Sequence, residues 1–353
     1  MTIGRLRPLR YGLTARWIDP PQRRRACQTR PMRVLVIGAG IAGLSAARRL
    51  LELGIDRDHI RIVDKGRGVG GRMASRRLET PNGTARFDHG AQFFTTRSDA
   101  FSSTIAAAVD AGSVVEWTRG FSRESDGYPR WRGSEGMTSL CKWMADDAGL
   151  RPELGRRILD LGDELAAEPV EAVVHTAPVP QALATLAFCG LLPEPALATQ
   201  LAEIHYKPTI AVLLAPSTDP TGLAAHGGAQ YLDHPELAFV ADNRAKGISA
   251  VPSVTVHLSN ALSGELWDAS DDEVAARAVA AARDLLGPAA DLARAHAVQV
   301  QRWRYAGPVE VWPEPTVVWG ATPRIALAGE AFAGPKVEGA FLSGRAAADV
   351  LTS

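Results

Sequence analysis

The first sustained apolar run is Val34-Leu35-Val36-Ile37, which suits a strand buried on both faces. Gly38-Ala39-Gly40-Ile41-Ala42-Gly43 follows at once. Leu44 to Leu53 then reads as a helix, with Gly54 as its stop. A second strand is predicted at Ile60–Val63, ending on Asp64. Near the other end, Arg324 to Ala328 reads as a strand that runs into Gly329-Glu330. There, Val337-Glu338-Gly339-Ala340 precedes a small-residue helix expected from Phe341 to Leu351. Between these ends the pattern predicts strands at Thr209–Leu214, Leu237–Val240, Val254–Leu258 and Ala297–Trp303. The last alternates well enough to be half buried. Ser270 reads as an N-cap, with Asp271, Asp272 and Glu273 in the first turn and Gly287 as the stop. That alanine-rich helix suits the covering of a sheet.

Composition adds limits. A chain of 353 residues has room for two folded cores, and its 46% apolar and 22% charged residues are ordinary for a globular protein. A mostly disordered, collagen-like or disulfide-stapled chain is excluded. No charge-free apolar stretch is long enough for a membrane helix, so no membrane partner is expected. The formal charge of zero hides an asymmetry: residues 1–31 hold eight Arg and one acid, Asp19, so the remainder is net acidic. An acidic body does not concentrate cations against phosphate, which argues against nucleic acid as a partner. Residues 1–31 are expected to be a disordered basic extension, read either as a stretch upstream of a real start at Met32 or as an Arg-rich, acid-poor transit peptide. Cys27, Cys141 and Cys189 lack metal spacing and read as reduced thiols of a cytoplasmic protein. Nothing else suggests a metal. Only five of the 39 basic residues are Lys, a skew that points to a GC-rich bacterial genome.

The glycines carry the first chemistry. Gly38 permits a tight turn, Gly40 lets the backbone approach a pyrophosphate, and Gly43 lets helix and strand pack closely. The helix start at Ile41 and Ala42 offers unpaired N–H groups to phosphate. Asp64 is placed to accept hydrogen bonds from a ribose diol, which disfavours a 2′-phosphate there. Asp64-Lys65-Gly66-Arg67-Gly68-Val69-Gly70-Gly71-Arg72-Met73 then adds a second glycine-rich, basic stretch. A chain that stays beside the dinucleotide suits the pyrophosphate and ribityl chain of FAD better than NAD. A helix starting near Val337 could direct its N–H groups to a flavin pyrimidine ring. Both ends of the chain thus build one site, and the domain is discontinuous. The expected parts are an FAD-binding domain of residues 32–97, 134–185 and 318–353, and a substrate domain of residues 98–133 and 186–317.

VLVIGAGIAGLSAARRL, DKGRGVGGRM, FDHGAQFFT (residues 87–95) and LAGEAFAGPKVEGAFLSG (residues 327–344) together resemble the flavin-containing amine oxidoreductase superfamily. The branch most similar is the bacterial renalase-like proteins, with TAPVPQAL, ADN (residues 241–243), VHLS and QRWRYAGP as further support. The resemblance implies an α/β protein: a Rossmann-like, p-hydroxybenzoate hydroxylase-like FAD-binding domain and a second, mixed-sheet α+β substrate domain. It implies an oxidase that converts 2- and 6-dihydro isomers of NAD(P) to NAD(P)⁺ while O₂ becomes H₂O₂. Carried over by position, Gly38, Gly40, Ile41, Ala42, Gly43, Asp64, Lys65, Gly70, Gly71, Arg72, Gln92, Gly329, Glu330, Val337, Glu338, Gly339 and Ala340 would contact FAD. His257 matches the family's His that faces the flavin. One departure stands out: between Leu150 and Val173 the family's β excursion looks shortened.

His257 is the candidate catalytic residue, orienting and polarising a nicotinamide ring, because hydride transfer needs no strong base. Trp131 and Trp303 are candidates to stack on a flat substrate, and Arg302 and Arg304 to bind its phosphates. Lys207 reads as a surface residue. No Cys lies beyond Cys189, so FAD is expected to be non-covalent. Two other readings stay open. One is an amine oxidase or desaturase, which needs an aromatic-walled pocket where this domain has few aromatics besides Trp. The other is a non-catalytic module that keeps the fold.

Overall fold

β-branched runs form stable strands where both faces can be covered, and the chain supplies two sheets that do this. The computed structural model describes Met1, residues 32–121 and residues 126–353. Apart from Met1, the extension expected to be disordered lies outside the described residues, as does Cys27. β1 (Val34–Ile37), α1 (Ile41–Glu52) and β2 (Ile60–Val63) open the fold, followed by a hairpin of β3 (Ser75–Thr80) and β4 (Gly83–Asp88). Next come α2 (Asp99–Asp110), a hairpin of β5 (Val114–Thr118) and β6 (Arg130–Gly133), α3 (Thr138–Asp147), α4 (Leu161–Ala167) and β7 (Ala172–His175). α5 (Val179–Phe188) and α6 (Pro195–Ala202) precede β8 (Tyr206–Ala215), β9 (Gly228–Gln230), β10 (Leu237–Asp242) and β11 (Val254–Leu258). α7 (Asn260–Glu265), α8 (Asp271–Ala281) and α9 (Arg283–Leu286) lead to β12 (Ala297–Pro308). The last elements are β13 (Val317–Trp319), β14 (Arg324–Leu327), α10 (Glu330–Ala333) and α11 (Val337–Thr352).

The first sheet has the order β13-β14-β7-β1-β2. Its strands are parallel except β13, which pairs antiparallel with β14. Alternation along β1 serves two cores. Val34 and Val36 pack with α1, α3 and α11, while Leu35 packs with Val173 and the residues of α5 and α6. Glycine sets how closely the helices approach. A Cβ on Gly43 would lie 1.9 Å from the Gly38 carbonyl oxygen, and one on Gly344 of α11 would lie 2.1 Å from that of Ala42.

The second sheet, in the order β12-β8-β11-β10-β9, is antiparallel in every pairing. A mixed sheet was expected. The helices between β11 and β12 return the chain to the opposite edge, where β12 runs against β8. Ile210, Val212 and Leu214 of β8 face α7 and α8, whereas Ala211, Leu213 and Ala215 face Ala85 and Phe87 of β4. The sheet therefore carries helices on one face and the β3–β4 hairpin on the other.

Ser270 caps α8 as its sequence predicts, accepting from the Glu273 N–H at 3.2 Å. α11 starts four residues before Phe341, so Val337–Ala340 form its first turn rather than a lead-in. The segment where the family excursion is shortened makes one short helix, α4, and runs along the sheet edge. Glu153 donates to the Ile62 carbonyl at 2.8 Å and accepts from the Asp64 N–H at 2.9 Å. Arg61 ties this edge down through Glu153, at 2.7 and 3.1 Å, and Glu168, at 3.0 Å. Among the described residues, no helix is long and apolar enough to cross a membrane.

Candidate active site

Where β1 ends, Gly38 has φ +112° and a Cβ there would lie 2.2 Å from Thr176 Oγ1, so both backbone and space require glycine. Gly40 precedes α1 and no side chain caps that helix. A Cβ on Gly40 would meet nothing closer than the Gly70 carbonyl oxygen at 3.8 Å. Protein packing therefore does not demand this glycine, whereas a ligand's close approach would. The second glycine loop lies against the first: the Gly70 N–H donates to the Ala39 carbonyl at 2.9 Å, and Gly40 and Gly70 form a bridge. Gly70 and Gly71 both have positive φ. Bare main chain and the start of α1, with Ile41 and Ala42 in its first turn, thus form a cradle at the carboxyl edge of the sheet. Asp64 steadies it, accepting from the Ala39 N–H and the Gly66 N–H, both at 2.6 Å. Each carboxylate oxygen keeps a further lone pair for a ribose hydroxyl. Lys65 donates to Gln181 at 3.1 Å. These features fit a dinucleotide.

Arg72 and Glu330 join the two ends of the chain in a bidentate pair, and Arg72 also donates to the Tyr305 carbonyl at 2.9 Å. Gly329, at φ +150°, turns the chain into α10, and its N–H donates to Ser343 Oγ at 2.9 Å. At the start of α11 a groove of about 360 Å³ opens between Arg97–Ser98 and Gly334–Gly339. Val337 is half-buried, and Gly339 and Ala340 are buried. The Glu338 side chain is already committed: its Oε1 accepts from the Arg97 N–H (3.1 Å), the Ser98 N–H (2.6 Å) and Ser98 Oγ (2.6 Å). These bonds hold the start of α11 against the loop before α2.

Facing β4, the second sheet contributes a buried polar cluster. His257 lies on β11 between Ala211 of β8 and Phe239 of β10. Burial pushes its pKa down to about 4. Its Nε2 faces Gln92 Nε2 at 3.4 Å. The Gln92 amide donates to the Asp88 carbonyl at 2.6 Å. Lys246 is fully sealed from solvent, and its ammonium donates to Asp88 Oδ2 and to the Gln92 carbonyl, each at 2.7 Å. Burial lowers the Lys246 pKa while Asp88 opposes the shift. Asp88 Oδ1 accepts from Ser75 Oγ at 2.6 Å and the Met137 N–H at 2.8 Å. Trp303 stacks on His89 with 5.3 Å between ring centroids, and its indole N–H donates to the His89 carbonyl at 2.7 Å. Burial, and then the Arg76 charge, hold His89 down to about 4.

Several expectations change here. Arg302 points to the opposite face of β12 from Trp303, where it pairs with Asp271 and donates to the Trp267 and Ala269 carbonyls. Arg304 lies over the Trp267 ring, 4.9 Å from its centroid. Strand alternation separates both from His89, so the phosphate role assigned to them is withdrawn. Trp131 is half-buried, packs against the core of the first sheet, and its backbone pairs with Phe94. Lys207 is exposed, in line with its surface reading. The expected scarcity of aromatics is also wrong locally: Phe93, Trp117, Phe121 and Phe239 gather with centroids 4.9–6.1 Å apart, and Lys246 Nζ sits 4.5 Å above the Trp117 ring. Asp88 and Lys246 were not singled out from sequence. Asp88 stands inside the FDHGAQFFT segment, and Lys246, one of five Lys, lies just after ADN.

Two outcomes follow from this geometry. Gly40→Val should fold yet purify without flavin, while Gly43→Val should fail to fold, because its Cβ would overlap the Gly38 carbonyl. Circular dichroism and visible absorbance on the same samples separate the two. The second concerns acid. His89, His175 and His257 are held near pKa 4 against an ordinary 6.5. Unfolding frees each ring to take a proton, so their stabilisation is complete above pH 6.5 and is lost as pH falls towards 4. The urea midpoint should drop between pH 7 and 5. His175 Nε2 is buried without a partner, so His175→Val should reduce that drop and add about 1 kcal/mol at pH 5.

Known proteins share this architecture. Residues 36–107 match the NAD(P)-binding Rossmann-like domain, and residues 117–352 match the flavin containing amine oxidoreductase family. Polyamine oxidase 1 of Oryza sativa subsp. japonica is 39% identical over 99 residues, a match that spans 28% of this chain and 18% of the rice protein. Reduced UDP-galactopyranose mutase superposes with a TM-score of 0.64 at 11% identity, covering 91% of this chain and 94% of its own. Cyclohexylamine oxidase from Brevibacterium oxydans IH-35A gives 0.60 at 15% identity, covering 91% and 99%. At such identities these structures speak for the fold: a Rossmann-like unit joined to a second sheet. The family match extends over more than half of the chain, so the chain belongs to the flavin containing amine oxidoreductase family.

Proposed function

We propose that this chain is a non-covalent FAD oxidase of the renalase-like branch, acting on 2- and 6-dihydro isomers of NAD(P) in a bacterial cytoplasm. The observation that carries this reading is the charge around the polar cluster. Lys246 bonds to Asp88 at 2.7 Å, Arg76 stands close enough to His89 to act on it by charge, and Arg132 does the same to Lys246. Arg76 bonds to the neutral Gln301, and Arg132 to the carbonyls of Gly133 and Ser134. A cationic surround disfavours an ammonium substrate and favours one that carries phosphate. Arg76 and Arg132 take the role first given to Arg302 and Arg304.

The cradle of Gly38, Gly40, Gly43, Gly70 and Gly71 with Asp64 would hold the FAD, which supplies hydride acceptance and O₂ reduction when bound. The reaction balances as substrate plus O₂ plus H⁺ giving NAD(P)⁺ plus H₂O₂. The chain itself positions the substrate. His257 is neutral at physiological pH, and Trp303 is locked by its His89 stack. These give flat, uncharged walls for a ring that transfers hydride. Cys141 is fully buried and burial pushes its thiol up to about 12, which leaves it unreactive and supports a non-covalent flavin.

A second reading, amine oxidation, is favoured by the aromatic group of Phe93, Trp117, Phe121 and Phe239 and by the names of the cyclohexylamine, putrescine and polyamine oxidases that share fold or sequence. Against it, the Trp117 face already carries the protein's own cation.

Borohydride-reduced NAD⁺, which contains the dihydro isomers, should bleach the visible flavin band without oxygen, and air should restore it. Benzylamine, cyclohexylamine and putrescine should leave the band unchanged over the same time. Bleaching by an amine but not by the reduced nicotinamide would overturn the proposal in favour of the second reading.

A further inference from the structure

The buried Lys246–Asp88 pair has so far counted only through its charge. We propose that Lys246 is a positioning residue for the reaction: by anchoring the Gln92 amide it keeps His257 Nε2 free of a proton and so sets the polar edge that the substrate meets. The functional part of this rests on the reading above, while the structural part does not.

Gln92 Nε2 lies 2.6 Å from the Asp88 carbonyl and 3.3 Å from the Gly90 carbonyl, and both can only accept. Gln92 Oε1 lies 3.4 Å from Lys246 Nζ, which can only donate as an ammonium. Opposite partners at its two ends therefore fix which end of the amide is nitrogen. That nitrogen has two hydrogens: the Asp88 carbonyl takes one at 2.6 Å, and the other, turned to His257 Nε2 at 3.4 Å rather than to the Gly90 carbonyl, meets a ring lone pair and leaves the ring's proton on Nδ1. Without Lys246 nothing in the cluster holds Oε1 in place. The amide is then held only through its nitrogen, by the Asp88 and Gly90 carbonyls, and the ring only through its bond to the His89 backbone, so the tautomer is less firmly set.

The fold delivers Lys246 to this place by a built turn. Asp242 Oδ1 accepts from the Arg244 and Ala245 N–H groups, at 2.9 and 3.1 Å. Asn243 Nδ2 donates to Thr255 Oγ1 at 3.0 Å, pinning the turn to β11 two residues from His257. Lys246 thus reaches Gln92 from the same sheet that holds His257.

The test uses the flavin-loaded, full-length protein labelled with ¹⁵N-histidine. Lys246→Met combined with Asp88→Asn removes the buried charges together, so that neither is left unpaired. Gln92→Met keeps the ion pair and removes only the amide, which covers the case in which the double variant does not fold. The wild type should show His257 protonated on Nδ1, and both variants should show mixed or switched tautomers, with flavin content measured on the same samples and rates read per bound flavin. In rapid reduction by borohydride-reduced NAD⁺, the limiting rate should fall by about tenfold or more while the substrate's apparent Kd changes by less than about threefold. A purely structural pair would instead give an unchanged tautomer and a rate within about twofold of wild type, and either result would overturn the proposal. If the wild-type flavin is not reduced at all, the functional reading fails by itself and the histidine spectra alone decide the role of Lys246.

Discussion

Two opposite charges sealed from water must meet, because either one alone would be costly to bury. Asp88 and Lys246 are such a pair, and much of the site depends on them. Asp88 ends β4 and holds Ser75 and the start of α3, while Lys246 comes from the turn after β10. Their contact brings the hairpin beside the cradle onto the face of the second sheet that carries His257. Gln92 and His89 are caught in that junction. One buried ion pair therefore joins the loop after β4 to the sheet that holds His257.

The cofactor side follows a different rule. There the work is done by missing side chains and bare main chain. Gly38 and Gly43 are required by packing, whereas Gly40 has room for a Cβ and gains its meaning from a ligand. Asp64 steadies both glycine loops through two short bonds to main-chain N–H groups. Arg72 and Glu330 then join segments 258 residues apart, which explains why both ends of the chain are needed for one site.

Much of this was legible in the sequence, where the information is local. β1, β2 and β11 fall where the apolar runs place them, and the Ser270 cap is where the pattern puts it. The glycine fingerprint, Asp64 and the closing segment pointed correctly to a flavoprotein fold. What escaped was non-local. Lys246 pairs with Asp88 across 158 positions, and its neighbours in sequence do not announce a buried charge. Arg302 looked available for phosphate, but strand parity turns it towards α8, where Asp271 takes it. The aromatic group draws Phe93, Trp117, Phe121 and Phe239 from separated segments, so counting aromatics along the chain could not reveal it. α11 begins earlier than its composition suggests, its first helical bond running from the Ala340 N–H to the Lys336 carbonyl at 3.1 Å.

The central claim is that these glycine loops hold one flavin dinucleotide without a covalent bond. Acid precipitation of the purified yellow protein, followed by mass analysis of the supernatant and the pellet, tests it directly. The account predicts one equivalent of FAD released per chain and a colourless pellet. FMN in place of FAD, flavin retained in the pellet, or a protein that neither carries nor takes up flavin would contradict it.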